Sequence, residues 1–210
     1  MNYTNTIRDY LEKHKGGFFE LTYELKERFT MFNPKTMMKI FNRLEQEGLV
    51  EKIGKGFYYI RNNDIFSVDK LFTYYSSDYR GVLLGYRMFN RYGISNYNDE
   101  QIIIYTNNIG MNKNVYNVSL RCCGIGFIGH YEEALIQALY TIEYGFNNII
   151  GCDISRTVKQ LEYWLYCYRD SAFKEIISKI HFQNRTIVTL NKMLNDLKIK
   201  NECINIFMNM

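Results

Sequence analysis

The stretch from Asn33 to Ile60, NPKTMMKIFNRLEQEGLVEKIGKGFYYI, changes its hydrophobic period halfway along. In its first half Met37, Ile40, Phe41 and Leu44 recur at the three- and four-residue spacing of one helix face. Asn33 stands at the capping position. Pro34, the single proline of the chain, falls at the first helical position, where its missing N–H costs nothing. Gly48 closes the helix. Beyond it Leu49, Val50 and Ile53 read as a strand, Gly54-Lys55-Gly56 as a tight turn, and Phe57 to Ile60 as the returning strand.

Two shorter helical patterns precede this unit. Asn5 can cap a helix through Lys13, with Ile7, Tyr10 and Leu11 on its apolar stripe and Gly16-Gly17 after its end. A second helix is expected from about Thr22 to Phe29, with Leu21, Leu25 and Phe29 inward. Three helices followed by a two-stranded wing is the order of a winged helix-turn-helix. The polar segment Arg61-Asn62-Asn63-Asp64 marks a boundary, giving a DNA-binding domain over 1–62 and a second domain over 64–210. In that second domain Val68 to Tyr75 and Arg80 to Tyr92 read as helices. Gln101 to Thr106 and Val115 to Cys122 read as strands joined through Asn107 to Asn114. From Tyr131 onward the pattern is helical, with further helices from a Ser155 cap to about Tyr168, from Phe173 to Ile180 and from Thr186 to Leu197. The expected class is α+β, an N-terminal winged helix-turn-helix followed by a mixed domain with a small sheet and a C-terminal helical bundle.

A recognition helix enters the major groove and offers its outward side chains to base edges. With Met37, Phe41 and Leu44 turned inward, the outward arc shows Lys35, Thr36, Lys39, Asn42 and Arg43, all donors toward bases or phosphates. No acidic residue lies between Asn33 and Leu44; Glu45 and Glu47 come only at the far end. Lys52 and Lys55 place positive charge on the hairpin, and a glycine-flanked lysine at its tip can approach a phosphate or the minor groove. These seven residues are the candidate DNA contacts. A basic helix face also arises as ordinary solvated surface, but that reading accounts for the charge and not for the cap, hairpin and basic tip together. Tyr58 and Tyr59 read as one core and one surface position of a strand.

Composition bounds the rest. Of 210 residues 47% are apolar and 23% charged, the balance of a folded chain, which excludes a disordered tail. No apolar run approaches the roughly 18–20 residues of a membrane span, so a cytoplasmic protein is expected. The net charge is only +4, so any nucleic-acid role rests on where the charge sits. Five cysteines without a CxxC and three scattered histidines argue for reduced thiols and against a structural zinc site.

Four features point elsewhere and are read more plainly. Gly124-Ile125-Gly126-Phe127-Ile128-Gly129 is a literal GxGxxG with Asp153 24 residues past its last glycine (153 − 129). A dinucleotide fold needs several parallel strands, however, and everything after Asp153 reads as helix, so a glycine-rich turn on a sheet edge is expected. Cys122-Cys123 near His130 could suggest a thiol with its base, but adjacent cysteines in a strand place one side chain in and one out. His130, Glu132 and Glu133 read as capping and dipole compensation at a helix start. Trp164 with Tyr163, Tyr166 and Tyr168 reads as core plus an amphipathic face, with an aromatic ligand pocket or partner surface as the sharper alternative. No catalytic residue, cofactor or metal is expected.

The segment Arg43 to Val50 (RLEQEGLV) followed by Gly54 to Tyr58 (GKGFY) resembles the winged-helix end of AbiEi-type antitoxins. Gly81 to Ile94 (GVLLGYRMFNRYGI) and Gln101 to Thr106 (QIIIYT) are similar to the start of their second domain; the sequence departs from that pattern at Tyr97-Asn98-Asp99. The resemblance covers roughly residues 5–150. It implies an antitoxin of a type IV toxin–antitoxin system that represses its own operon by binding promoter repeats in double-stranded DNA. It also implies that the second domain counteracts a nucleotidyltransferase-like toxin, with or without direct contact. Two other functions remain open: a winged-helix regulator whose second domain senses a small molecule, and a nucleotide-binding enzyme.

Overall fold

The computed structural model describes residues 3–77 and 79–204 and has an α+β architecture with two small sheets. The first sixty residues form α1 (Tyr3–Lys13), β1 (Phe18–Glu20), α2 (Leu21–Glu27), α3 (Pro34–Gln46), β2 (Val50–Gly54) and β3 (Phe57–Ile60). The strands make an antiparallel sheet in the order β1-β3-β2. α3 begins as its sequence dictates: the Asn33 side chain accepts from the Lys35 amide at 2.8 Å, and Pro34 opens the helix. It ends at Gly48, which takes φ +75° and so lets the Leu49 amide reach back to the Leu44 carbonyl.

Strand β1 is an addition to the sequence reading. Phe18-Phe19-Glu20 is too short to show a period, but paired to β3 it closes the sheet on its second edge. With those residues in a strand, the second helix starts at Leu21 and stops at Glu27 instead of running from Thr22 to Phe29; Phe29 is still buried. The first helix begins at Tyr3, ahead of the Asn5 cap expected for it.

Beyond residue 60 come α4 (Val68–Ser76), β4 (Gly81–Leu84), α5 (Gly85–Arg91), β5 (Ile102–Thr106), β6 (Lys113–Val115) and β7 (Val118–Cys122). They are followed by α6 (His130–Tyr144), a 3-10 turn at Phe146–Asn148, α7 (Ile154–Tyr166), α8 (Asp170–Lys179) and α9 (Asn184–Asp196). The second sheet has the order β4-β5-β7-β6; β5 and β7 run parallel and the other pairs antiparallel. Its fourth strand corrects the reading of Arg80–Tyr92 as one helix. Gly81 to Leu84 instead pair with β5, and Gly81 is pressed so closely against the Tyr75 and Tyr105 carbonyls that a Cβ would lie 2.5 and 2.8 Å from them. Gly85, at φ +69°, then turns the chain into α5. The expected strand Val115–Cys122 is likewise a hairpin: Tyr116, at φ +51°, and Asn117 reverse the chain between β6 and β7. α7 is capped by Asp153, whose carboxylate accepts from the Arg156 amide, and not by Ser155.

Two apolar cores share the first sheet between them. Phe19, Val50, Tyr58 and Ile60 face α1, α2 and α3, while Phe18, Phe57 and Tyr59 belong to the core that continues into the second sheet and α6–α9. This corrects the expectation for Tyr58 and Tyr59. Alternation does send them to opposite faces, but both faces are covered, and neither ring is more than 1% exposed. The Tyr59 hydroxyl is satisfied by the Asp64 carboxylate at 2.6 Å.

Candidate nucleic-acid interface

α3 is held from behind by aromatic packing. The Phe41 ring lies 4.3 Å from Phe19 and 4.6 Å from Tyr58, centroid to centroid, and Met37, Phe41 and Leu44 are fully buried. A helix fixed along that stripe presents a defined opposite face. Lys35, Thr36, Lys39, Asn42 and Arg43 are all exposed there, and at about 100° per residue they fall within an arc of about 120°. The acidic residues at the far end are turned to internal use. Glu47 pairs with Arg8 at 2.6 Å, and a Glu45 oxygen accepts from the Lys52 amide at 3.3 Å.

On the hairpin, Lys52 and Lys55 are exposed. Lys52 pairs in register with Tyr58, which puts it on the side of the sheet that faces the helices, beside the end of α3. Lys55 stands in the turn, where Gly56 adopts φ +63° and its carbonyl accepts from the Leu21 amide at 2.8 Å. Among the described residues none of Lys35, Lys39, Arg43, Lys52 and Lys55 is held in an ion pair, unlike Arg8, Arg28, Arg61 and Lys70. Five cations without an internal partner are thus displayed by one helix and the hairpin that follows it. Phosphate groups are the natural counter-charge for such a set.

Two residues that the structure pairs, the buried Glu20 and the half-buried Lys113, carry no signal in the sequence. Glu20 ends β1 and caps α2, accepting from the Tyr23 amide at 2.8 Å; Lys113 of β6 stands 2.9 Å from its other oxygen. Neither residue type is a customary sign of its role, and their partnership spans 93 positions (113 − 20).

The other motifs are occupied by structural contacts. In the glycine-rich segment between β7 and α6, the Gly126 amide donates to the Glu175 carboxylate at 2.8 Å, and the Gly129 amide donates to Glu132 at 2.9 Å. A carboxylate thus holds one of the amides that a phosphate would use, and Asp153 serves as a helix cap. Cys122, the last residue of β7, is exposed, and Cys123, one position past the strand, is buried. His130 is not bonded to either; its Nε2 lies 3.2 Å from the sulfur of Cys167, whose thiol is pushed up by burial and drawn back by Arg169. Trp164 and Tyr168 are core residues, with Tyr163 and Tyr166 exposed. Among the described residues no group of three or more metal-ligating side chains comes together, and no helix is long and apolar enough to cross a membrane. A comparison with protein-family models gives no match, and a comparison with curated proteins gives none.

Proposed function

We propose that residues 1–62 act as a winged helix-turn-helix that binds double-stranded DNA, with α3 in the major groove and the β2–β3 hairpin as the wing. The observation that carries this reading is the acid-free arc of Lys35, Thr36, Lys39, Asn42 and Arg43 on a capped helix, set beside a hairpin with two uncompensated lysines. The order of elements and the β1-β3-β2 sheet support it. With the resemblance to AbiEi-type antitoxins, the whole chain is proposed as a cytoplasmic type IV antitoxin. It represses its own operon through the first domain and counteracts a nucleotidyltransferase-like toxin through the second. The test is twofold: titration of the full chain against its own promoter at several salt concentrations, and co-expression with the neighbouring toxin gene, scored for growth. Specific binding that falls steeply with salt, together with restored growth, supports the reading. Equal binding to promoter and random duplex, or no rescue, contradicts it.

A second reading, a regulator whose second domain senses a small molecule, has one feature in its favour. A cleft of about 370 Å³ opens between α2 and the ends of the parallel strands β5 and β7, bounded by Tyr23, Lys26, Asn107, Cys122 and Gly126. Crevices at the carboxyl ends of parallel strands are common ligand sites. A metabolite that alters promoter affinity without any toxin present would favour this reading.

A further inference from the structure

The wing is not a free finger. Lys113, on the edge strand of the second sheet, extends its ammonium to the Lys55 carbonyl at the wing tip, 2.9 Å away, and to Glu20 Oε1 at the same distance. Glu20 is itself 2% exposed and the Lys113 side chain 10%. The other oxygen of Glu20 accepts from the Tyr23 amide at the start of α2 and from the Gly110 amide in the β5–β6 loop, at 2.8 and 2.9 Å. Oε1 accepts no aligned hydrogen bond among the described residues, so its contact with Lys113 is coulombic. One buried pair therefore ties together the start of α2, the β5–β6 loop, β6 and the tip of the wing.

The surroundings are equally close. A Cβ on Gly110 would lie 2.7 Å from the Thr22 methyl, and the Tyr116 ring at the β6–β7 turn stacks on Phe66 at 5.8 Å. Buried ion pairs contribute little net stability against their desolvation cost, but they hold geometry when their remaining atoms are bonded. A short hairpin closes without a partner 58 positions away; at its tip the Leu21 amide holds the Gly56 carbonyl from within the first sixty residues, and Lys113 holds the Lys55 carbonyl from the second sheet.

We propose that Lys113, anchored by Glu20, is a positioning residue for DNA binding: it holds the wing tip where Lys55 reaches a phosphate, so the second domain sets the contact made by the first. This rests on the DNA-binding reading above. It implies that a toxin or effector displacing β6 would weaken promoter binding without touching α3.

The test uses the full chain and four proteins: the parent, Lys55→Ala, the pair Glu20→Gln with Lys113→Met, and the combination of all three. The paired change removes both buried charges together, so no uncompensated charge is left, and the Gln oxygen can still accept from the Tyr23 and Gly110 amides. Each protein is melted to verify its fold and titrated with promoter DNA at several salt concentrations. In the parent, Lys55→Ala should lower the log–log salt slope by about one unit. The paired change should lower it by the same amount, and adding Lys55→Ala to it should then change nothing further. Hydrogen exchange at the Leu21 amide, which donates to the Gly56 carbonyl at the wing tip, should accelerate in the paired variant while α3 keeps its protection. That exchange measurement also decides the matter if the paired variant is less stable, because it compares two segments of one molecule. Additive losses, or an unchanged exchange rate at the Leu21 amide, would overturn the proposal. If Lys55→Ala leaves the parent slope unchanged, the wing makes no phosphate contact and the proposal falls, while substitutions on α3 still test the DNA reading independently.

Discussion

Asp64 shows how one side chain at the junction of the two halves gives a measurable signature. Hydrogen bonds from the Lys70 ammonium and then the Tyr59 hydroxyl hold its carboxyl well below the usual range, at about 2. A carboxyl depressed in the folded state contributes stability that is complete above its unfolded value of about 3.9 and is lost as pH falls through the folded value. Thermal midpoints of the parent should therefore drop between roughly pH 4 and pH 2 more steeply than those of Asp64→Asn; parallel curves would show that the contact does not persist in solution. In the sequence Asp64 falls in a polar linker, and nothing there marks Tyr59 or Lys70 as its partner. Lys35, Lys39 and Arg43 were legible for the opposite reason. Helical period alone sends them outward once Met37, Phe41 and Leu44 are inward.

At the level of elements, α3 carries two separable supports. Asn33→Ala removes the cap and should cost about 1 kcal/mol, fraying the turn that displays Lys35 and Thr36. Phe41→Ala removes a fully buried ring between Phe19 and Tyr58 and should cost about 3–5 kcal/mol. Urea denaturation checks both, and a smaller loss for Phe41→Ala than for Asn33→Ala would contradict the packing described. α3, with its cap and clear 3.6-residue period, is visible in the sequence. The elements that were missed share a physical cause. β4 is a short apolar run buried among β5 and the helices, so it lacks the polar alternation that separates a strand from a helix. The β6–β7 turn carries its left-handed residue on Tyr116, a type that gives no turn signal. β1 is three residues long and is defined by its partner strand.

Across the whole molecule, the first sheet is one wall of each core, so the linker at residues 61–64 divides the chain more cleanly than it divides the packing. Residues 1–62 alone would expose Phe18, Phe57 and Tyr59, each at most 4% exposed in the full chain. That fragment should melt at a lower temperature than the full chain and self-associate on a sizing column; a monomer of undiminished stability would show that the shared sheet adds nothing. This sharing was not legible because FFE and FYYI are apolar on both faces, and a sequence does not state what will cover the second one. One titration tests base reading by α3 most directly. The full chain and its Lys35→Ala/Thr36→Ala/Lys39→Ala variant, both folded by melting, are compared on the promoter and on a scrambled duplex. A loss of roughly 1–3 kcal/mol per base-contacting residue on the promoter, with a much smaller loss on scrambled DNA, is predicted for a helix that reads bases. Equal losses on both duplexes, or none on either, would contradict it.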